Sequence, residues 1–156
     1  MNNSLLIGFK GKNNLSGELV KMPGRDYCLL TNSFSGVRKD IDAIDAAYDS
    51  VMLFGVDRNL DAAVKIERTA EKDGIRCSSA LDPDSLAEGF RETGLEAKVS
   101  DIPTAYLCNE AYWHLLRKFN GRAVLIHIPT MKNADEPFIR KVRQALDSID
   151  TEVYRS

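Results

Sequence analysis

Two stretches of the chain are apolar at nearly every position, and they restrict the fold strongly. The first covers residues 51–56, Val-Met-Leu-Phe-Gly-Val, and the second covers residues 123–128, Ala-Val-Leu-Ile-His-Ile. A strand with one face in water alternates apolar and polar residues, whereas a strand covered by helices on both sides is apolar on both faces. Both stretches therefore predict central strands of a sheet that lies between helical layers.

Helical and extended patterns alternate along the rest of the chain. After Ser33, a suitable N-cap, apolar residues recur at helical spacing through residue 48. Asp82-Pro83 and Asp135 predict the starts of two further helices, and another is expected over about Cys108–Phe119. Shorter strands are expected at residues 5–9, 27–31, 64–68 and 97–100. This alternation predicts an α/β three-layer sandwich with a mostly parallel central sheet, in a single domain over residues 1–156.

Charge and cysteine content narrow the class of protein. The 21 basic and 23 acidic residues are well mixed, so neither nucleic acid nor a membrane surface is an expected partner. The first residues have no signal-peptide pattern, and three scattered cysteines indicate reduced thiols, so a cytoplasmic location is expected. Two histidines, no Cys-x-x-Cys pair and no glycine-rich nucleotide loop predict neither metal nor cofactor.

Cys108 is the first candidate for chemistry, because it is expected where a loop becomes a helix. Unpaired N–H groups and the helix dipole favour a thiolate at that position. The alternative is a buried cysteine that packs as a small hydrophobic residue, which is the commoner role of a lone cysteine.

His127 and Glu67 are the candidates for a base and for its orienting partner. His127 interrupts an aliphatic strand near its end, where α/β folds place functional groups, although a buried core histidine is an alternative. Glu67 ends a strand of alternating pattern, and its alternative role is a solvated carboxylate paired with Arg68 or Lys65. His114 follows Cys108 by six helical residues, so we expect it to point away from the thiol and to lie near Glu110.

Three blocks of the chain resemble the pyroglutamyl peptidase I, or pyrrolidone-carboxylate peptidase, family. Residues 99–109, which end in Tyr-Leu-Cys-Asn, are similar to that family's strand–loop–cysteine segment. Residues 125–129, Leu-Ile-His-Ile-Pro, resemble its histidine strand. Residues 50–55 and the later Ile66-Glu67-Arg68 resemble its central strand and its glutamate-arginine pair. The order of the blocks agrees over roughly residues 30–146.

The resemblance implies a phosphorylase/peptidase-like sandwich and a thiol hydrolase. On this likeness Cys108 is the nucleophile, His127 the general base and acid, and Glu67 the orienting carboxylate. The implied reaction releases an N-terminal pyroglutamyl group from a small peptide or amide through an acyl-thioester. The family habit also suggests a homo-oligomer.

The chain departs from the family pattern and looks like a shortened relative. The glycine-rich loop of the family is replaced by residues 10–14, Lys-Gly-Lys-Asn-Asn, so Phe9 is the remaining aromatic candidate to contact the substrate. Residues 69–80 are too few to replace a long family segment, and we expect Phe54 and Tyr106 to pack in the core. A non-catalytic descendant that binds a small ligand or another protein is therefore the alternative function.

Overall fold

The described part of the chain, in a computed structural model, comprises the backbone of residues 3–153 and the side chains of residues 3–149. The strands in it are β1 (Ser4–Phe9), β2 (Asp26–Leu30), β3 (Ser50–Val56), β4 (Ala63–Glu67), β5 (Thr69–Lys72), β6 (Ile75–Ser78), β7 (Glu96–Ser100) and β8 (Ala123–Ile128). The helices are α1 (Leu15–Leu19), α2 (Phe34–Asp42), α3 (Pro83–Glu92), α4 (Tyr106–Lys118) and α5 (Glu136–Val153).

Six strands form one mixed sheet in the order β2-β1-β3-β8-β4-β7. Every neighbouring pair is parallel except β8 and β4, which are antiparallel. The two apolar stretches became β3 and β8, which lie side by side in the middle of the sheet. Their central position explains why neither stretch carries a polar face.

Helices cover both faces of the sheet and create two hydrophobic cores. One core lies under α1, α3 and α5 and contains residues such as Phe54, Phe90 and Leu146. The other lies under α2 and α4 and contains residues such as Leu53 and Leu125. This arrangement confirms the predicted α/β sandwich with a mostly parallel sheet.

The predicted helix starts are confirmed by their caps. The side chain of Ser33 accepts a hydrogen bond from the N–H of Gly36 at 3.0 Å, and that of Asp135 accepts one from the N–H of Phe138 at 2.9 Å. Such bonds satisfy N–H groups that have no partner inside the helix. None of the helices within residues 3–153 combines the length and the apolar character needed to cross a membrane.

A hairpin that the sequence patterns did not predict lies between β4 and α3. Strands β5 and β6 are antiparallel and form a separate two-stranded sheet. Asp73 and Gly74 join them with φ values of 52° and 77°, the left-handed geometry that two-residue hairpin turns require. The hairpin packs on α4, where the indole N–H of Trp113 donates to the carbonyl of Ile75 at 3.2 Å.

Candidate active site

The carboxyl ends of β3 and β8 and the adjacent part of β4 form the floor of the candidate site. Gly55 of β3 pairs with His127 of β8, and Lys65 of β4 pairs with His127 from the other side. Side chains alternate between the faces of a strand, so Glu67 shares the face of Lys65. Leu125, two residues before His127, packs in the core under α2 and α4. The site therefore lies on the face that α4 covers.

Gly55 allows α4 to approach the sheet closely. A Cβ atom at this position would lie 2.7 Å from the sulfur of Cys108 and 3.4 Å from Nε2 of His127. The sulfur and the imidazole therefore face one point above Gly55, and their separation cannot exceed the sum of those two distances. A glycine inside a buried strand is typical of such a close approach.

Glu67 lies beside the imidazole of His127, on the side of its Nδ1 atom. The Nδ1 atom of His127 lies 3.5 Å from Oε2 of Glu67, and only 4% of His127 and 1% of Glu67 are exposed. In the tautomer that carries its hydrogen on Nδ1, that N–H is directed at the carboxylate and Nε2 is the acceptor. The structure thus brings together the three residues that the sequence indicated for catalysis.

The acidity of Cys108 differs from the expectation. Helix α4 begins at Tyr106, so Cys108 lies in its first turn as expected, but the predicted stabilisation of a thiolate is wrong. Burial, and then the negative charges of Glu67 and Asp57, raise the pKa of the Cys108 thiol to about 11. Burial and the two neighbouring carboxylates therefore favour the protonated thiol at neutral pH.

Two contacts hold the start of α4 in place. The side-chain amide of Asn109 donates to the carbonyl of Glu71 at 2.7 Å and accepts from its N–H at 3.1 Å. The buried hydroxyl of Tyr112 donates to the carbonyl of Glu67 at 2.7 Å. The unpredicted hairpin and the end of β4 therefore position the helix that carries Cys108.

Glu110 and His114 lie away from the site, which for His114 agrees with the expectation. The carboxylate of Glu110 accepts hydrogen bonds from Lys72 at 2.6 and 2.8 Å. It also lies 2.7 Å from Nε2 of His114, which confirms the predicted proximity one helical turn apart. Lys72 holds this carboxylate over the hairpin.

An open cleft of about 670 Å³ lies over the sulfur and the imidazole. Its walls come from residues 56–59, at the end of β3 and directly after it, from Lys65, and from residues 104–107 before Cys108. Tyr106 lines this cleft and is 85% exposed, so the prediction that it packs in the core is wrong. Its φ of 67° lies in the left-handed region, which is uncommon for a residue other than glycine. Phe54 is fully buried, as predicted.

Phe9 and Arg68 lie outside the cleft. Phe9 is buried in the core under α2 and α4, and its contact with a substrate stays a prediction. Arg68 points to the protein surface, where its guanidinium bonds to Asp101 at 2.6 Å and to Asp84 at 3.0 Å. The arginine of the glutamate-arginine pair therefore has a structural contact with α3 and the loop after β7.

Three residues of the site did not emerge from sequence reasoning. Gly55 interrupts a buried strand, and that signal was available. Lys65 shares a face with Glu67 by the alternation of β4, and Asp57 comes directly after β3. Lys65 was considered only as a possible partner of Glu67 and Asp57 not at all, because nothing in the local pattern shows which strands lie next to each other.

Comparison with known proteins gives a structural likeness without a sequence match. No protein-family model and no curated protein sequence matches the chain. The pyrrolidone carboxyl peptidase of Thermococcus litoralis superposes with a TM-score of 0.79 and 16% identity, covering 99% of this chain and 96% of that one. The enzyme of Pyrococcus furiosus has a TM-score of 0.71 and 16% identity, with 96% and 99% covered.

Pyroglutamyl peptidase I of Bacillus amyloliquefaciens is a third structural neighbour. It has a TM-score of 0.73 and 18% identity, covering 94% of this chain and 93% of that one. The likeness extends over nearly the whole chain, in agreement with the resemblance seen in the three sequence blocks. The chain therefore has the fold of the pyrrolidone carboxyl peptidases.

Proposed function

We propose that the protein is a cysteine amidohydrolase that releases an N-terminal pyroglutamyl or similarly blocked group from a small peptide or amide. Cys108 acts as the nucleophile, His127 as general base and then acid, and Glu67 as the carboxylate that orients the imidazole. One observation carries the proposal. The sulfur of Cys108 and Nε2 of His127 face the same point above Gly55, with Glu67 on the other side of the ring.

The reaction proceeds in two halves. In the first, Nε2 of His127 takes the thiol proton as the sulfur attacks the carbonyl carbon, and the imidazolium then protonates the leaving amine as the C–N bond breaks. In the second, His127 takes a proton from water, which attacks the thioester and releases the acid while the sulfur regains its proton. The raised pKa of Cys108 makes this proton transfer necessary in the first half.

The first turn of α4 is suited to stabilise the oxyanion. The opening N–H groups of a helix have no partners within it. Ala105, the N-cap residue of α4, has no side chain that could cap them. We assign the N–H groups of Leu107 and Cys108 as donors to the oxygen that becomes negative in the tetrahedral intermediate.

A non-catalytic binding protein is the second candidate function. It is favoured by the raised pKa of Cys108, which is about 11, because a buried protonated thiol is typical of a cysteine that packs rather than reacts. In this case the cleft binds a small ligand or a peptide without cleaving it.

Hydrolysis of pyroglutamyl-aminomethylcoumarin separates the two candidates. Under the proposal the purified protein releases the fluorophore, Cys108→Ser abolishes turnover, and His127→Ala lowers kcat by about 10² or more. Cys77→Ser, on the hairpin, is the matched control and retains activity. Fluorophore release that is absent at high protein concentration, or equal in the Cys108→Ser variant, would refute the hydrolase.

A reducing compartment such as the cytoplasm suits this function. All three cysteines are free thiols, and Cys108 must stay reduced to act as a nucleophile. We propose this location on that requirement.

A further inference from the structure

A charged pair in the wall of the cleft has no part in the proton transfers described above. The ammonium of Lys65 donates a hydrogen bond to Oδ2 of Asp57 at 3.0 Å. Their side chains are 23% and 18% exposed, and both residues line the cleft together with Cys108 and His127. The pair is thus partly shielded from water, yet open to a ligand in the cleft.

The pair lies beside the reacting groups. Lys65 is the cross-strand partner of His127, and side chains paired in this way have Cβ atoms about 4.5–5.5 Å apart. Asp57 follows the end of β3, two residues after Gly55, and its charge contributes to the raised pKa of Cys108. A small acyl group bound to Cys108 is therefore within reach of both side chains.

Both members keep unused hydrogen-bonding capacity. Asp57 accepts from the N–H of Asn59 at 2.9 Å through Oδ1 and from Lys65 through Oδ2. Each carboxylate oxygen has a second lone pair, and an ammonium has three N–H groups. Oε2 of Glu67 is 3.8 Å from Lys65, beyond ordinary hydrogen-bond length. Besides their mutual bond of 3.0 Å, the ammonium of Lys65 thus keeps two N–H groups, and each carboxylate oxygen of Asp57 keeps one lone pair, for a ligand.

Asp57 is charged when the ligand arrives. Burial alone would disfavour its carboxylate, but the N–H of Asn59 and the ammonium of Lys65 outweigh this and lower the pKa of Asp57 below its ordinary value. The pair therefore offers opposite charges side by side at neutral pH.

This arrangement selects a neutral group with an N–H and a C=O on the same side. A ligand ammonium would meet the charge of Lys65, and a ligand carboxylate would meet Asp57 and Glu67. Open-chain secondary amides are nearly always trans, which directs N–H and C=O in opposite directions. A small lactam ring locks the amide in the cis form and places both groups along one edge.

We propose that Asp57 and Lys65 are a specificity-determining pair that binds the lactam edge of the substrate's acyl group. The ring N–H donates to the carboxylate of Asp57, and the ring carbonyl accepts from the ammonium of Lys65. This assignment deepens the proposed function and rests on it for the identity of the acyl group. It supplies the polar partners for a buried lactam that the sequence alone did not reveal.

Protection of Cys108 from alkylation tests the pair without any turnover. Iodoacetamide modifies the protein at pH 9, and mass spectrometry of the Cys108 peptide measures the rate with increasing 2-pyrrolidone, cyclopentanone or N-methylacetamide. Cyclopentanone has the ring and carbonyl but no N–H, and N-methylacetamide is a trans amide. We expect 2-pyrrolidone to protect at concentrations about ten- to hundredfold lower than either analogue, because it can make both charge-assisted hydrogen bonds and each analogue can make only one of them.

Substitutions of Lys65 and Asp57 then test whether these side chains bind 2-pyrrolidone. Lys65→Met and Asp57→Asn are expected to remove most of the advantage of 2-pyrrolidone over its analogues. Lys98→Met is the matched control, because Lys98 pairs with Lys65 from the outer strand β7 and is exposed, and it is expected to behave like wild type. Each rate is divided by that of the same variant without ligand, so a general loosening of the site cancels.

The outcomes separate this inference from the proposed function. Equal protection by the three compounds in the wild-type protein, or no protection by 2-pyrrolidone, overturns the lactam assignment even if a variant fails to fold. Cys108-dependent hydrolysis of pyroglutamyl-aminomethylcoumarin with unchanged KM in both variants overturns the pair and leaves the hydrolase intact. Selective protection without hydrolysis supports the lactam site and overturns only the catalytic proposal.

Discussion

Replacement of Gly55 with alanine tests whether Cys108 and His127 face a common point. The new Cβ would lie 2.7 Å from the sulfur and 3.4 Å from Nε2. Nonbonded heavy atoms are comfortable at roughly 3.5–4.0 Å, so the sulfur has to move by about 1 Å. Asn109 and Tyr112 hold α4 to the hairpin and to β4, which prevents the helix from absorbing this shift without strain. The sulfur is therefore displaced from the imidazole.

The expected fall in the reaction rate and the expected loss of folding stability differ enough in size to be told apart. A misplacement of about 1 Å in a catalytic group can lower the rate about 10²-fold. Overpacking costs about 1–3 kcal/mol, while exchange of a strand glycine for alanine returns about 0.5–1 kcal/mol. The net destabilisation is thus at most about 2.5 kcal/mol, and a domain with a typical stability of about 5–15 kcal/mol stays folded.

Gly89→Ala is the matched control for Gly55→Ala. Its Cβ would lie 2.5 Å from Cγ1 of Ile149, in the core on the opposite face of the sheet. The measurements are kcat for pyroglutamyl-aminomethylcoumarin and the urea midpoint of both variants. We expect similar losses of stability and a loss of kcat only in Gly55→Ala. An unchanged kcat in a folded Gly55→Ala protein would show that activity does not require the close approach of the sulfur and the imidazole above Gly55. The geometric argument would then fail.

Three further changes have defined outcomes. Glu67→Gln removes the charge behind His127, and kcat is expected to fall by about 10² or more; an unchanged kcat would exclude an orienting role. The pKa of Cys108 is raised from 9.0 to about 11, so the native state retains its proton longer than the unfolded state, and stability is lost as pH rises from about 9 through 11. Urea unfolding at pH 8 and pH 11 is expected to show a fall on the order of 2 kcal/mol in wild type beyond that in Cys108→Ala; equal falls would contradict the burial of the thiol. Asn109→Ala removes two hydrogen bonds to Glu71 and is expected to destabilise the protein by about 1–2 kcal/mol, with faster amide exchange at Glu71; unchanged exchange would show that this contact does not hold the hairpin.

The helices and strands followed from patterns that are local in the chain. Ser33 and Asp135 marked helix starts because a capping side chain bonds to N–H groups only three residues away. The hairpin of β5 and β6 could not be predicted from local patterns, because its strands have only four residues each and show no clear alternation of apolar and polar residues. Its contacts with α4 stabilise it, and these lie 38 residues away along the chain.

The candidate site could be predicted only in part. Cys108, His127 and Glu67 were recognisable by residue type, by position at element ends and by resemblance. The raised pKa of Cys108 could not be predicted from the sequence. The helix dipole acts locally, whereas desolvation and the charges of Glu67 and Asp57 depend on the surrounding fold. Tyr106 was expected in the core together with Phe54, but its ring is exposed and lines the cleft.

The sequence by itself determined the layered α/β architecture, since burial on both faces of a strand and amphipathic periodicity are properties of neighbours along the chain. Only the tertiary structure decided that β4 runs antiparallel beside β8, which places Glu67, 60 residues away in sequence, against His127. The same strand order put Lys65 and Asp57 into the cleft wall. Strand order and register result from the packing of the whole chain, so distances between side chains of different elements cannot be read from any local pattern.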